Sequence, residues 1–327
     1  MFGDVVKMKL RVGVIGVGQM GRHHARVYSS MPDVELVGVS DLSRMNANDV
    51  ARKYGAKAYT DHLKLLQEVD AVSIAVPTSV HRDVALEVAD FGVNMLIEKP
   101  IADSVKNAME IVRATRRAGV KAMVGHIERF NPAIRKLKEL VSSGDLGDVL
   151  SMSGRRVGPY SPRIRDVGVI VDLAVHEIDT MSYLYDDRAV SVYAVGGKSN
   201  RYPHEFEDYA SIILRYRDNR SGMIETNWLT SKKIRTLTVV GTDGVASVDY
   251  IRKSLEICRN GDHFGLKVDE VEPLWNELRH FVDAVKNDFD PTPSVVDGLY
   301  VLHVALSAIR SYRGERMVTI EDGLLLI

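Results

Sequence analysis

Apolar residues along the first 125 positions follow two alternating rhythms. Short apolar runs at 34–40, 58–60, 71–76, 94–98 and 121–125 read as strands. Between them, 22–30, 46–54, 81–91 and 104–118 repeat apolar residues at helical steps. Gly55, Gly92 and Gly119 each follow a last helical residue, where a left-handed backbone is favoured. Strands separated by helices of this length predict a parallel, doubly wound α/β sheet, with ligands beyond the carboxyl ends of its strands.

The rhythm changes after Gly125. A helix is expected over 132–143, and alternating segments follow at 149–157, 190–196, 209–216, 222–229, 235–240 and 246–250. Turn residues separate several of them, and Gly241-Thr-Asp-Gly244 reads as a hairpin turn. Two closing helices, 274–286 and 294–313, bracket Pro291 and Pro293. The pattern predicts two domains: 8–126, and an α+β domain at 127–327 with an open, mostly antiparallel sheet. Both faces of that sheet keep apolar residues, Ile213 opposite Ile212 and Leu214, so association into a homodimer or homotetramer is expected.

The first strand, with Val12, Val14 and Ile15, runs straight into Gly16-Val-Gly-Gln-Met-Gly21. Gly16, Gly18 and Gly21 stand at the spacing of a Rossmann dinucleotide turn, with Gln19 and Met20 opening the helix that would face a pyrophosphate. The second strand ends at Asp41, roughly 20 residues on, where a carboxylate bonds a ribose 2′-OH. Asp41 predicts NAD over NADP, because it repels a 2′-phosphate; Arg44 tempers that preference and leaves NADP open.

Composition narrows the partners. The 327 residues carry 43 Lys and Arg against 44 Asp and Glu, a balance that gives no basic surface for nucleic acid or an anionic membrane. No apolar run reaches spanning length. The one cysteine, Cys258, excludes an intrachain disulfide and fits a reducing compartment, so a cytoplasmic location is expected.

Three strand ends carry polar residues that packing does not require. The run 71–76 ends in Pro77-Thr-Ser-Val-His81, which puts Thr78 and His81 beside the cofactor, or makes His81 a surface residue at a helix start. The run 94–98 ends in Glu98-Lys99-Pro100, and a lysine there would meet nicotinamide and substrate, or solvent beside a turn. The third end, His126 to Pro132, holds Arg129, read as glue between domains. Further on, Asp172, His176 and Asp179 share one face of an apolar helix over 169–185. Histidine titrates near neutrality and suits proton exchange with a hydroxyl, while a buried histidine satisfied by Asp172 is the alternative. No third ligand accompanies the pair, so no metal site is expected.

The order of these motifs — glycine turn, Asp41, Pro77-Thr-x-x-His81, Glu98-Lys-Pro100, Asp172-x-x-x-His176 — resembles the glucose–fructose oxidoreductase, inositol dehydrogenase and MocA (Gfo/Idh/MocA) family from about Lys9 onward. The resemblance implies an NAD(P)-dependent dehydrogenase acting on a carbinol of a sugar or polyol. It makes Lys99 and His176 the catalytic pair and Asp172 an orienting or substrate-binding residue, with Glu98 and Lys99 also at the cofactor. The segments 125–132, 158–166 and 171–176 are similar to the branch that oxidises the 3-hydroxyl of UDP-N-acetylglucosamine. Arg163 and Arg165 then bind the diphosphate, or lie in a solvated loop. The alternatives are an inositol or simple-sugar dehydrogenase, and a non-catalytic dinucleotide-binding regulator.

Overall fold

The computed structural model describes residues 8–162 and 167–320. They form two compact units. Among the described residues, the first holds 8–125 together with Leu274–Leu299; the second holds 126–162, 167–273 and 300–320.

In the first unit, strands and helices alternate: β1 (Leu10–Ile15), α1 (Gln19–Ser30), β2 (Val34–Ser40), α2 (Arg44–Tyr54), β3 (Lys57–Tyr59), α3 (His62–Leu66), β4 (Ala71–Ile74), α4 (His81–Asp90), β5 (Asn94–Glu98), α5 (Val105–Ala118) and β6 (Ala122–Gly125). Among the described residues the strands form one sheet in the order β3-β2-β1-β4-β5-β6, and every pairing is parallel. The expected doubly wound Rossmann sheet is therefore present. Local chemistry sets the helix ends. The Ser43 and Ser104 side chains accept amide hydrogens at the starts of α2 and α5. Gly55 and Gly119 close those helices with φ of 69° and 66°. The short α3 was not anticipated, because five residues carry too little periodicity.

The second unit contains α6 (Pro132–Ser142), β7 (Val149–Pro159), α7 (Val175–Tyr185), β8 (Ser191–Gly197), β9 (Tyr209–Arg215), β10 (Ser221–Asn227), β11 (Leu229–Gly241), β12 (Val245–Asp249), β13 (Ser254–Arg259) and β14 (Asp262–Leu266). After α8 (Pro273–Asn287) and α9 (Val295–Gly314), β15 (Val318–Thr319) completes a sheet ordered β14-β13-β12-β11-β7-β10-β9-β8-β15 among the described residues. Only β7 and β10 pair in parallel there; the other neighbours are antiparallel. The hairpin turn lies where expected, with the Gly241 amide donating to the Gly244 carbonyl at 2.9 Å. Alternation buries Ala210, Ile212 and Leu214 against a core that includes Ile178, Met181, Tyr300 and Val304. The opposite face exposes Tyr193, Ile213 and Met223, which the strand register places side by side.

The expectation of one uninterrupted second domain over 127–327 needs correction. Residues 274–299 belong to the first unit, and charge pairing and close packing hold them there. Arg279 and Lys286 of α8 donate to Asp33 at 2.7 and 2.6 Å. The Val124 amide donates to the Pro293 carbonyl at 3.0 Å, and a methyl on Gly298 would lie 2.6 Å from the Val124 side chain. Among the described residues, no helix is long and apolar enough to cross a membrane.

The Asp33 link has a pH signature. The Lys286 ammonium pulls the Asp33 carboxyl from its ordinary 3.8 down to about 2, over the opposing effect of burial and with help from Arg279. A carboxyl lowered in the folded state stabilises above its unfolded value and loses that contribution as pH falls through its folded value. Asp33→Asn is therefore expected to lower Tm near neutrality. In a thermal melt series the gap to wild type should close as pH drops from 3.8 towards about 2. A gap that stays constant over that window would sever this link from stability.

Candidate functional site

Each unit carries its own set of candidate groups. In the first, the glycine turn follows from backbone contact. Gly16 has φ of 85°, and a side-chain carbon there would stand 2.7 Å from the Ala75 carbonyl oxygen. Gly21 lets α1 press onto β1, since a carbon there would come within 1.8 Å of the Gly16 carbonyl oxygen. Gly18 differs: a carbon added there meets no protein atom within 4 Å. Its openness is towards solvent, where Gly18 and Gln19 are exposed and Met20 is half-buried at the start of α1. Helix-start amides with an open approach fit a pyrophosphate. Asp41 lies at the end of β2 and accepts amide hydrogens from Val17 at 2.9 Å and Ser43 at 2.8 Å. Each carboxylate oxygen keeps a lone pair for a ribose hydroxyl. Gly16, Gly18, Gln19, Met20, Gly21 and Asp41 thus lie together at the carboxyl edge of the sheet.

The neighbouring strand ends divide into surface and support. Thr78 and Lys99 are half-buried, and the Lys99–Pro100 peptide is cis. His81 is not at the surface: it is 1% exposed, with Nδ1 2.9 Å from the Pro100 carbonyl and Nε2 2.9 Å from the Val76 carbonyl. Both ring nitrogens are engaged by main chain, so His81 ties the two strand ends together instead of facing a ligand. Burial pushes its pKa down, against the pull of those carbonyls and of Glu98. Glu98 is buried as well, and its Oε1 lies 2.9 Å from His24 Nε2 on α1. Burial raises its pKa, yet the His24 hydrogen bond and the charges of His24, Lys99 and His81 bring it below the ordinary carboxylate value. His24 was not singled out from sequence. Its only signal there is an inward position one helical turn beyond Gly21.

In the second unit a π-helical turn, Ile170–Ala174, runs into α7. Asp172 sits in the π turn and His176 near the start of α7, so the single uninterrupted helical face expected for 169–185 is locally rewound. Asp172 is buried and His176 half-buried. Asp179 does not join them in one role, because Arg129 clamps it through Nε and Nη2 at 2.6–3.0 Å. Arg129 is thus bound within the second unit. The helix start is fixed by Glu207, whose main-chain carbonyl and side chain accept from the Val169 and Ile170 amides at 3.0 and 3.1 Å. Gly168 is required there, since a side-chain carbon would fall 2.2 Å from that carboxylate. A ring cluster adjoins this segment. Tyr160 and Tyr202 stack at 4.5 Å, and His204 and Trp228 meet edge to face at 5.4 Å. Arg163 and Arg165, expected to bind a diphosphate, lie outside the described residues.

Beneath α7, Arg156 reaches up from β7 and is 1% exposed. It donates to Glu177 at 2.7 and 2.8 Å and to Glu128 at 2.8 Å. Burial pushes the Glu177 carboxyl up, with Arg156 opposing. Arg235 is held below its ordinary pKa by burial and by the like charge of Arg156, while Glu128, Glu177 and Asp172 pull the other way. Asp172 therefore belongs to a buried charge network that sequence reasoning missed. Arg156 occupies an inward position of an alternating strand, where an arginine is easily assigned to solvent.

Known proteins match both units. Residues 10–126 match an oxidoreductase family with an NAD-binding Rossmann fold, and 134–247 match the GFO/IDH/MocA C-terminal domain. UDP-N-acetylglucosamine 3-dehydrogenase of Acidithiobacillus ferrooxidans is 32% identical over 257 residues, covering 77% of this chain and 78% of that protein. Its solved structure superposes with a TM-score of 0.87, covering 94% of this chain and 99% of that one at 29% identity. Inositol 2-dehydrogenase of Rhizobium meliloti is 28% identical, covering 96% of this chain and all of that protein. A levoglucosan dehydrogenase bound to NADH shares the fold, with a TM-score of 0.89 at 22% identity over 96% of this chain and 100% of that one. The cofactor of the first unit is NAD.

The three turn glycines should separate by experiment. Gly18→Ala is expected to leave the Tm of the cofactor-free chain unchanged and to raise the Kd for NAD by about tenfold or more. Gly21→Ala should lower that Tm. Calorimetric titration and thermal melts read both, and equal behaviour of the two variants would contradict that separation.

Proposed function

This chain belongs to the Gfo/Idh/MocA oxidoreductases, the NAD-dependent sugar and polyol dehydrogenases, and from that premise we propose that it oxidises a secondary hydroxyl of a nucleotide sugar, the 3-hydroxyl of UDP-N-acetylglucosamine. The observation that carries the reading is the joint likeness to the enzyme of that name, 32% identical over 77% of this chain and superposing with a TM-score of 0.87 over 94% of it. The inward Asp172 and His176 at the head of α7 supply the matching chemistry. The half-buried rings of Tyr160 and Tyr202, next to that helix start, offer aromatic faces to a pyrimidine base.

NAD, when bound, supplies the hydride acceptor. The chain's own residues handle the proton and the charge. His176 takes the hydroxyl proton as general base, and Asp172 orients the imidazole or the sugar. Lys99 holds its ammonium against the alcohol oxygen and stabilises the negative charge that develops there. Gly16 to Gly21 hold the pyrophosphate, and Asp41 takes the ribose hydroxyls in preference to a 2′-phosphate.

Steady-state kinetics with UDP-N-acetylglucosamine test the roles. Lys99→Ala and His176→Ala are each expected to reduce kcat by about 10²-fold or more, and NAD is expected to exceed NADP in kcat/KM. Turnover near wild type in both variants removes the assignment.

A thermal-shift panel tests the substrate class. A ligand that binds the folded state raises Tm by mass action. With NADH present, UDP and UDP-N-acetylglucosamine are expected to raise Tm and myo-inositol to leave it unchanged. The reverse outcome assigns the chain to the inositol dehydrogenases of the same family, two of which match 96% of its length.

A further inference from the structure

Helix α1 does two things at once. Its first turn opens directly from the glycine turn, and one turn later it delivers His24 into the interior. The imidazole is 0% exposed and reaches Glu98 Oε1 at 2.9 Å. The other carboxylate oxygen, Oε2, accepts the Lys99 main-chain N–H at 3.2 Å. Gly125 makes room for the carboxylate: a side-chain carbon there would meet Glu98 Cδ and Oε2 at 3.3 Å. From the other side the His81 ring sits between the Pro100 and Val76 carbonyls, 2.9 Å from each, and its one N–H donates to one of them when the ring is neutral. Glu98 is thus held at one oxygen by α1, and its second oxygen holds the amide at which Lys99 leaves β5.

A buried imidazole–carboxylate pair is an expensive way to fill space. Removing both groups from water costs several kcal/mol per ion, and a leucine of similar volume would pack at lower cost. Such pairs are best explained by the geometry they impose. Here the imposed geometry links the cofactor helix to the base of the lysine.

We propose that His24 is a positioning residue for Lys99, acting through Glu98, so that the helix that seats the dinucleotide also sets where the ammonium stands. The proposal rests on the reading of Lys99 as the group that meets the substrate oxygen. A loss of register between donor and acceptor is felt in the chemical step more than in binding.

The test compares three variants in the full-length chain. His24→Leu keeps bulk and removes the donor. His24→Asn stays polar but is too short to reach Glu98. His24→Gln places an amide N–H where Nε2 stands. With NAD and UDP-N-acetylglucosamine, the first two are expected to lose about tenfold or more in kcat, with KM for NAD changed less than about twofold, and the glutamine variant to recover most of the loss. Amine acylation of Lys99, followed by mass spectrometry at the peptide level, supplies a readout that needs no substrate. Its rate should change in His24→Leu and His24→Asn and return in His24→Gln. If the leucine variant fails to fold, the asparagine variant decides.

Wild-type kcat and wild-type Lys99 labelling in the leucine and asparagine variants overturn the proposal. So do equal losses in all three variants, which would mark His24 as a packing residue. If the wild-type chain does not turn over UDP-N-acetylglucosamine, the substrate reading fails on its own, and the labelling series still decides the role of His24.

Discussion

Helix α1 lies so close to strand β1 that no side chain fits between them. A carbon on Gly21 would stand 1.8 Å from the Gly16 carbonyl oxygen. That approach fixes the pitch of the turn, aims the first amides of α1 at the open side of Gly18, and sets the depth at which His24 enters the core. Asp41 closes the arrangement by accepting the Val17 amide at 2.9 Å, so the acid at the end of β2 is already bound to the turn it complements. Glycine turn, Asp41 and buried His24 thus meet around one helix start.

The second unit relies on a different constraint. Its Asp172–His176 segment starts in a π turn whose entry is tied down by Glu207 and whose underside rests on Arg156, Glu177 and Glu128. Opposite charges buried together stabilise little relative to apolar packing, but breaking one member strands the others. The helix is therefore held in place by groups that cannot be exchanged singly. The buried Asp172 and half-buried His176 at its head then keep a defined orientation.

Much of this was legible in the sequence, and the limits have physical causes. Three glycines at fixed spacing encode backbone approach directly, so the turn, the parallel sheet and Asp41 could be read from the residues. The antiparallel sheet was readable where Ile212 and Leu214 alternate with exposed residues. Strand β14 was not, because 262–266 is exposed along most of its length and carries no apolar rhythm, and β13 offers only Leu255 and Ile257 as inward positions. The return of 274–299 to the first unit depends on Asp33 meeting Arg279 and Lys286, a pairing across about 250 residues that no local pattern reveals. His81 and Glu98 were expected beside the cofactor; their side chains turn inward, onto main-chain carbonyls and His24. Position along a strand locates a residue at the crest of the sheet but does not say which way its polar atoms point.

That distinction bears on how the lysine at the end of β5 is supported. A lysine at a strand end has a long, flexible stem and loses about 2 kcal/mol of rotamer freedom when held in one place. Fixing the main chain at its base removes part of that disorder. Glu98 is suited to this because a carboxylate accepts at two oxygens, one for the Lys99 amide and one for the imidazole of α1. An amide side chain offers only one acceptor oxygen, and a hydroxyl is too short to reach both partners. The acid before the lysine is thus demanded by geometry as much as by charge, and the histidine across from it keeps that acid ionised in the interior.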